Sequence, residues 1–379
     1  MINHKRLLDL FLELVQVDSE TKDERKICDL LKEKLHHLGL DVFEDHSAQK
    51  TGHGAGNLIA SLKGNDNRAP SLMFTAHMDT VKPGRGVKPV VADGYVQSDG
   101  QTILGSDDKA GIAAILEGLL AVKEQGISHG DIQVILTVGE EAGLVGAKAL
   151  DPTLIEAQLA YAFDSDGPVG DIVVAAPTQA KLDVMVYGRS AHAGVNPEDG
   201  ISAIQLACQA IARMPLGRID KETTANIGRF EGGEATNIVC DQVHILAEAR
   251  SLNPEKLKHQ VEAMERCFKE VTRKAGTSCE VKVEIMYPSY RFTDQDKVVQ
   301  VAKRAIRRIG RTPRLLESGG GSDANIFAGY GIPTVNLAIG YENIHTKSER
   351  IPLEELYKAA ELVVAIIQEV YHDQYEGRS

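Results

Sequence analysis

Short apolar strands that alternate with amphipathic helices constrain the fold of this chain more than any other feature of its sequence. The apolar segments Ser71–Ala76, Ile132–Val138 and Leu159–Phe163 are predicted strands, and the amphipathic segment Ala110–Lys123 is a predicted helix between the first two. Strands separated by helices form mainly parallel sheets with helices on both faces. The first part of the chain is therefore predicted to be an α/β domain.

The order of elements changes near Gln179, and helix–strand alternation returns near Phe292. Between these points the patterns follow the order β-α-β-β-α-β, which is typical of a ferredoxin-like, split βαβ unit. We therefore predict one α/β domain formed by residues 1–178 and 293–379. A smaller α+β domain of residues 179–292 is inserted into it.

The composition excludes several classes of protein. The 379 residues contain 42 Lys and Arg against 54 Asp and Glu, which gives a formal charge of −12. This acidic balance argues against nucleic acid or an anionic membrane surface as the main partner. The five cysteines form no C-x-x-C pair, so neither a disulfide framework nor a thiolate zinc site is indicated. Because no signal-peptide or transmembrane pattern is apparent, we expect a cytoplasmic protein.

Acidic residues and a histidine follow the predicted strands, at the carboxyl ends where open parallel sheets bind ligands. The set comprises His77, Asp79, Glu140, Glu141, Asp164 and Asp166, together with Asp107 and Asp108 before the predicted helix. Each group alone has an ordinary explanation, such as a helix N-cap or a solvated turn. Clustered like charges repel, however, unless a cation holds them. Their recurrence at three strand ends favours a pair of divalent metal ions bound by carboxylates and imidazoles.

Motifs along nearly the whole chain resemble those of the dizinc exopeptidase family, which includes peptidase T, glutamate carboxypeptidases, aminoacylases and succinyl-diaminopimelate desuccinylase. In chain order they are TAHMDTV (75–81), LGSDDKAG (104–111), GEEAGLVGA (139–147), FDSDG (163–167), GRSAHAG (188–194), GGEATNIV (232–239), AEARS (247–251), GGGSDAN (319–325) and NIHTKSER (343–350). Four of them are most similar to the peptidase T branch, whose members are tripeptide aminopeptidases. The resemblance implies a dizinc catalytic domain and an inserted lid and dimerisation domain.

The resemblance also implies a role for each matching residue of the metal site. The implied ligands are His77 and Asp164 for one zinc ion, Glu141 and His345 for the other, and Asp107 as a bridge. The alternative to Asp164 is Asp166, which follows the same strand. Asp79 would orient His77, and Glu140 would be the general base that activates a metal-bridging water. Co²⁺ or Mn²⁺ would also suit these ligands.

The implied substrates are short peptides, cleaved at the first peptide bond. His192, Asn237, Arg250 and Gly320 would bind them, with His192 reaching the site from the partner subunit of a homodimer. The alternatives are an N-acyl amino acid deacylase or a carboxypeptidase on the same fold and, more remotely, a non-catalytic binding module.

The glycine-rich segment Gly52–Gly56 lacks the strand and helix that a nucleotide-binding loop needs.

Overall fold

The structure is a computed structural model that describes residues 1–66 and 68–376. Residues 67 and 377–379, which fall within the predicted α/β domain, lie outside the described residues. The helices are α1 (His4–Val15), α2 (Arg25–His37), α3 (Ser47–Thr51), α4 (Ser106–Glu124), α5 (Val145–Ala149), α6 (Ala203–Ile211), α7 (Pro254–Lys274), α8 (Lys297–Arg308), α9 (Asp323–Gly329) and α10 (Leu353–Glu376). None of the helices in this described part is both long and apolar enough to cross a membrane.

The strands occur singly or in short runs between these helices. They are β1 (Asp41–Glu44), β2 (Leu58–Leu62), β3 (Leu72–His77), β4 (Pro89–Ala92), β5 (Tyr95–Ser98), β6 (Ile132–Thr137), β7 (Leu159–Ser165), β8 (Asp171–Ala176), β9 (Thr178–Tyr187), β10 (Gly217–Arg218), β11 (Thr223–Gly232), β12 (Gln242–Ser251), β13 (Cys279–Tyr287), β14 (Tyr290–Arg291), β15 (Arg314–Glu317), β16 (Thr334–Ala338) and β17 (Arg350–Pro352). The chain separates into two compact units. The first comprises residues 1–175, 292–317 and the described residues from 322 onwards, and the second comprises residues 176–291 and 318–321.

The first unit contains a mixed sheet with the strand order β1-β2-β6-β3-β7-β16-β8, and β15 also pairs with β8. The four central strands β6, β3, β7 and β16 are parallel. All residues of β3 and β6 are buried, as expected for strands that are covered on both faces. The long helix α4 packs against β3 and β7 and against α1 and α10. The predicted α/β fold class is thus confirmed.

Several parts of the first unit were not predicted from the sequence, and two of them concern its sheets. Strand β8 pairs antiparallel with β16 and not with β7, its neighbour in sequence. Its apolar segment is separated from β9 by Pro177 alone, so the two strands have no loop between them in the sequence. A further unpredicted part is a small antiparallel sheet of β17, β5 and β4. Its strands are only three or four residues long, too short for a clear alternating pattern.

The second unit is an antiparallel sheet with the order β10-β11-β12-β9-β13, against which α6 and α7 pack. Buried and less buried residues alternate along β9 and β12 because one face of the sheet meets the helices. Side chains such as Val184, Ile245, Met264 and Phe268 form the core between the two layers. The order of elements is the predicted split βαβ arrangement, with β10 as an additional short strand.

Candidate metal centre

The first group of possible metal ligands lies at the carboxyl ends of β3 and β7. His77 is the last residue of β3, Asp164 lies at the end of β7, and Asp107 is in the first turn of α4. The His77 Nε2 atom is 3.0 Å from Asp107 Oδ1 and 3.6 Å from Asp164 Oδ1. One ligand atom from each of the three residues lies within 4.8 Å of the others. Such a group has the chemistry and the spacing to hold a divalent cation.

A second group shares Asp107 with the first. The His345 Nε2 atom is 2.8 Å from Glu141 Oε1 and 3.1 Å from Asp107 Oδ2. Asp107 therefore directs one carboxylate oxygen towards His77 and the other towards His345. A carboxylate placed in this way can bridge two cations. The two groups together contain all five of the predicted metal ligands.

Asp79 links His77 to the segment that carries the predicted base. The His77 Nδ1 atom is 2.8 Å from the Asp79 carbonyl oxygen, which leaves Nε2 facing Asp107 and Asp164. The buried Asp79 carboxylate accepts hydrogen bonds from the Glu140 backbone N–H at 3.0 Å and from the Thr21 hydroxyl at 2.7 Å. These bonds fix the imidazole and the start of the Glu140–Glu141 turn relative to each other.

The electrostatics of the centre indicate an excess of negative charge. Burial and then the charge of Asp164 raise the pKa of Glu140 well above its ordinary value. Burial likewise raises the pKa of Asp164 to about 6. Burial alone would lower the pKa of His77, but its hydrogen bonds to Asp107, Asp164 and Asp79 outweigh this and raise it. Carboxylates whose charge is disfavoured in this way are suited to a cation, which would stabilise their ionised forms.

The start of α4 positions Asp107 through its neighbour Asp108. The peptide bond between the two residues is cis. The Asp108 carboxylate accepts hydrogen bonds from the His77 N–H at 3.2 Å and from the Gly111 N–H at 3.2 Å. A Cβ atom at Gly111 would lie 2.3 Å from the Phe163 carbonyl oxygen and 2.4 Å from Asp108 Oδ1. Glycine is therefore required where the helix passes the end of β7.

The structure distinguishes between the two acids that follow β7. The Tyr341 hydroxyl donates a hydrogen bond of 3.2 Å to Asp164 Oδ1, which also faces His77. Asp166 is exposed and, within the described part of the chain, belongs to no group of possible metal ligands. This geometry favours Asp164 as the ligand. Tyr341 was not foreseen, because nothing in its sequence context points to an acid 177 positions earlier.

A buried hydrogen-bonded pair of His53 and Glu24 lies behind the Glu140–Glu141 turn and was also not predicted from the sequence. The His53 Nδ1 atom is 2.7 Å from Glu24 Oε1, and both side chains are buried. The His53 ring lies directly against the turn, because a Cβ atom at Gly139 would be 2.3 Å from His53 Cε1. His53 belongs to the glycine-rich segment that we set aside as a nucleotide-binding loop, and the structure shows it to be a support for this turn.

The predicted substrate-binding residues lie in the second unit, in two pairs. The exposed His192 is near Asn237, because the N–H of Ala193 donates a 2.9 Å hydrogen bond to the Asn237 carbonyl oxygen. Arg250 donates from Nε and Nη2 to the two Glu248 carboxylate oxygens at 3.0 and 3.2 Å. Its Nη1 atom donates to the carbonyl oxygen of Gly319, next to Gly320. The roles of these four residues in substrate binding stay predictions.

Comparison with known proteins identifies the family. Residues 73–369 match the model of peptidase family M20/M25/M40. The chain belongs to this family. The match covers most of the chain, including the inserted second unit and every residue predicted to bind metal or substrate. The exopeptidase family inferred from the sequence motifs is thereby confirmed.

Several similar proteins match almost the full length of this chain. The uncharacterized protein YqjE of Bacillus subtilis is 62% identical over 369 residues, which are 97% of this chain and 99% of that protein. The crystal structure of aminopeptidase PepT from Bacillus cereus has 61% identity and a TM-score of 0.93, covering 97% of this chain and 99% of that one. A tripeptidase structure from Staphylococcus aureus has 49% identity and a TM-score of 0.95, covering 98% of this chain and 100% of that one.

The position of His53 predicts a loss of activity that exceeds its effect on stability. We expect His53→Ala to leave a space behind Gly139, so that the Glu140–Glu141 turn shifts. A shift of about 1 Å at a reacting group can lower a rate about 10²-fold. The measurements are kcat for peptide hydrolysis and the melting temperature.

The matched control is His129→Ala. His129 is also buried, and it precedes β6 at the opposite end of that strand, where its Nδ1 atom is 2.7 Å from the Gly130 carbonyl oxygen. This variant should lose comparable stability and keep its kcat. Equal kcat values for the two variants would contradict the support role of His53.

Proposed function

We propose that this protein is a dizinc aminopeptidase that removes the N-terminal residue from short peptides, in particular tripeptides. The observation that carries the proposal is the pair of ligand groups that share Asp107, found on a chain of a peptidase family. The aminopeptidase PepT at 61% identity and the tripeptidase at 49% identity support the choice of reaction and substrate. Both matches extend over nearly the whole chain.

His77 and Asp164 would hold one ion, Glu141 and His345 the other, and Asp107 both. The donor set of imidazole and carboxylate without thiolate fits Zn²⁺ and would also accept Co²⁺ or Mn²⁺. When bound, two such ions lower the pKa of a water and polarise the scissile carbonyl. Asp79 would keep the His77 imidazole in the orientation that presents Nε2.

Glu140 is the residue proposed to move the proton. Its neighbour Glu141 is the ligand, so Glu140 is left free to act as a base next to the same centre. It would accept the proton of the attacking water and donate it to the nitrogen of the leaving amine as the peptide bond breaks. One of its carboxylate oxygens lies within 4.8 Å of a ligand atom of His77 and of one of Glu141, so Glu140 is next to the proposed centre, which supports this role.

The second unit is proposed to recognise the substrate. Arg250 would bind the carboxylate at the end of a short peptide through its planar guanidinium group. Asn237 and the backbone at Gly320 would bind the peptide backbone, and His192 would stabilise the oxyanion that forms at the scissile carbonyl. The backbone at Gly320 is open to such an approach, since among the described residues other than its chain neighbours the only atom within 4 Å of a Cβ placed there is Ser318 Oγ, at 3.7 Å.

We further propose a cytoplasmic homodimer in which this second unit provides the interface and His192 acts in the partner's active site. His192 is exposed, and the apolar residues Val195 and Ile238 near it are 75% and 46% exposed. A partner that covered this surface would remove both apolar side chains from water, which favours association. All five cysteines are free thiols, which supports a reducing compartment.

An assay of substrate length and terminus tests the proposed reaction. The purified protein should hydrolyse tripeptides faster than dipeptides, release the N-terminal residue, and lose activity with a chelator until Zn²⁺, Co²⁺ or Mn²⁺ is restored. A preference for N-acetyl amino acids would replace the aminopeptidase by a deacylase, and release of the C-terminal residue would indicate a carboxypeptidase. Activity that persists after complete metal removal would contradict the metal-dependent proposal.

The role of Glu140 is tested by Glu140→Gln. We expect kcat to fall by about 10²–10⁴-fold, because the amide cannot accept the proton, while both metal ions remain bound. Metal content and kcat are the measurements. The control is Glu13→Gln, which changes an exposed glutamate on α1 that is paired with Lys34 and should keep normal turnover. Near-normal turnover of Glu140→Gln would refute its role as the base.

The role of His192 across a dimer is tested by mixing two inactive variants. His192→Ala and Glu140→Gln should each have low activity, and their mixture should regain part of it, because exchanged dimers contain one site with both residues intact. Absence of recovery, with subunit exchange confirmed by a labelled chain, would contradict the proposal that His192 acts in the partner's site.

A further inference from the structure

Glu349 is a buried carboxylate whose hydrogen bonds come from the segment that leads into Asp107. It is 1% exposed. Its Oε2 atom accepts from the N–H groups of Leu104 at 2.9 Å and Gly105 at 3.0 Å. Its Oε1 atom accepts from the Ser106 hydroxyl at 2.6 Å and the Asp107 N–H at 3.1 Å. Four donors on four successive residues therefore converge on one side chain.

The same carboxylate belongs to the segment that carries His345. The Glu349 N–H donates to the Thr346 carbonyl oxygen at 3.1 Å, and the Thr346 hydroxyl donates to the Asn343 carbonyl oxygen at 2.7 Å. Asn343 and His345 both have left-handed backbone conformations, with φ of 57° and 62°. Glu349 thus joins this folded turn to the residues before Asp107, although the two segments are more than 230 positions apart in the chain.

We propose that Glu349 is a positioning residue that sets the spacing between the Asp107 carboxylate and the His345 imidazole. The inference rests on the proposed function, because these two residues are the proposed ligands of the second metal ion. Their atoms His345 Nε2 and Asp107 Oδ2 are 3.1 Å apart, so a small shift of either segment changes the second ligand group. The first group also contains Asp107 but draws its other members from β3 and β7, which Glu349 does not contact through any of the hydrogen bonds above.

Glutamine cannot replace this glutamate without loss of hydrogen bonds. Each carboxylate oxygen accepts two bonds, and an amide nitrogen in the place of Oε2 would face two N–H donors. In the place of Oε1 it would face the Ser106 hydroxyl, which can rotate and accept, and the Asp107 N–H, which cannot. A buried donor left unpaired in this way is costly and forces the segment to move. Glu349→Gln should therefore disturb the position of Asp107 relative to His345 with almost no change in side-chain volume.

The experiment is a titration of the metal-free full-length protein with Co²⁺, followed by visible absorption and by the number of ions bound per chain. The wild-type protein should bind two ions. Glu349→Gln should bind the second ion about 10–100-fold more weakly, the range found when groups that orient metal ligands are changed, and its Co²⁺ spectrum should differ. Competition of Zn²⁺ with bound Co²⁺ should then show the same difference: Glu349→Gln should bind the second Zn²⁺ ion more weakly than the wild type does.

The matched control is Glu117→Gln. Glu117 lies on α4, the helix that begins with Asp107, and is also 1% exposed. It accepts hydrogen bonds from the Asn3 N–H at 2.9 Å and from Arg6 Nε at 2.7 Å. This variant should lower the melting temperature and bind both Co²⁺ ions as the wild type does. A loss of metal affinity that is equal in the two variants would mean that general destabilisation is the cause and would overturn the proposal.

Two further outcomes separate this inference from the proposed function. If the wild-type protein binds no metal ion, the proposed function fails. If the wild type binds two ions and Glu349→Gln binds them with the same affinities and spectrum, only the positioning role of Glu349 fails. Should Glu349→Gln not fold, Ser106→Ala removes one of the four donors and should weaken the second ion several-fold. An unchanged second affinity in Ser106→Ala would then overturn the proposal.

Discussion

Repulsion between carboxylates that are crowded at one edge of a sheet is the constraint on which the first unit depends. The parallel strands β3, β6 and β7 end at this edge, so the residues that follow them lie close together even where they carry like charges. Some of these carboxylates are held by hydrogen-bond donors, as Asp79 is by the Thr21 hydroxyl and by the Glu140 backbone N–H. Burial and mutual charge still raise the pKa of Glu140 and Asp164. Divalent cations would relieve the remaining repulsion.

The acids at the strand ends could be predicted from the sequence because each follows a recognisable apolar strand. This local pattern was enough to bring His77, Glu141 and Asp164 into one prediction, and the motif resemblance added His345. Contacts between distant segments have no such pattern. The hydrogen bonds of Glu349 to residues 104–107 and the packing of His53 against Gly139 depend on how loops meet in three dimensions. A single sequence contains no period or spacing that reports them.

The fold shows the same division between local and non-local information. Helix α7 and strands β9 and β12 were predictable because their apolar residues recur with the helical or strand period over at least ten residues. Strand β8 was not, since its antiparallel pairing with β16 joins parts of the chain on either side of the second unit. The small sheet adds β17 to the hairpin of β4 and β5, and β17 is even more distant from that hairpin in the chain than β16 is from β8. Short strands of this kind gain their stability from tertiary pairing and not from their own sequence.

The position of the second unit within the chain determines the order in which the ligand groups can form during synthesis. His77, Asp107 and Asp164 all precede it, so the first group is complete before the second unit emerges from the ribosome. His345 and Glu349 follow it and are made only after both halves of the ferredoxin-like sheet. A nascent chain can therefore contain all residues of the first ligand group while the second group still lacks His345. Full assembly of the centre has to wait for the C-terminal segment, which makes it a late step in the biogenesis of this protein.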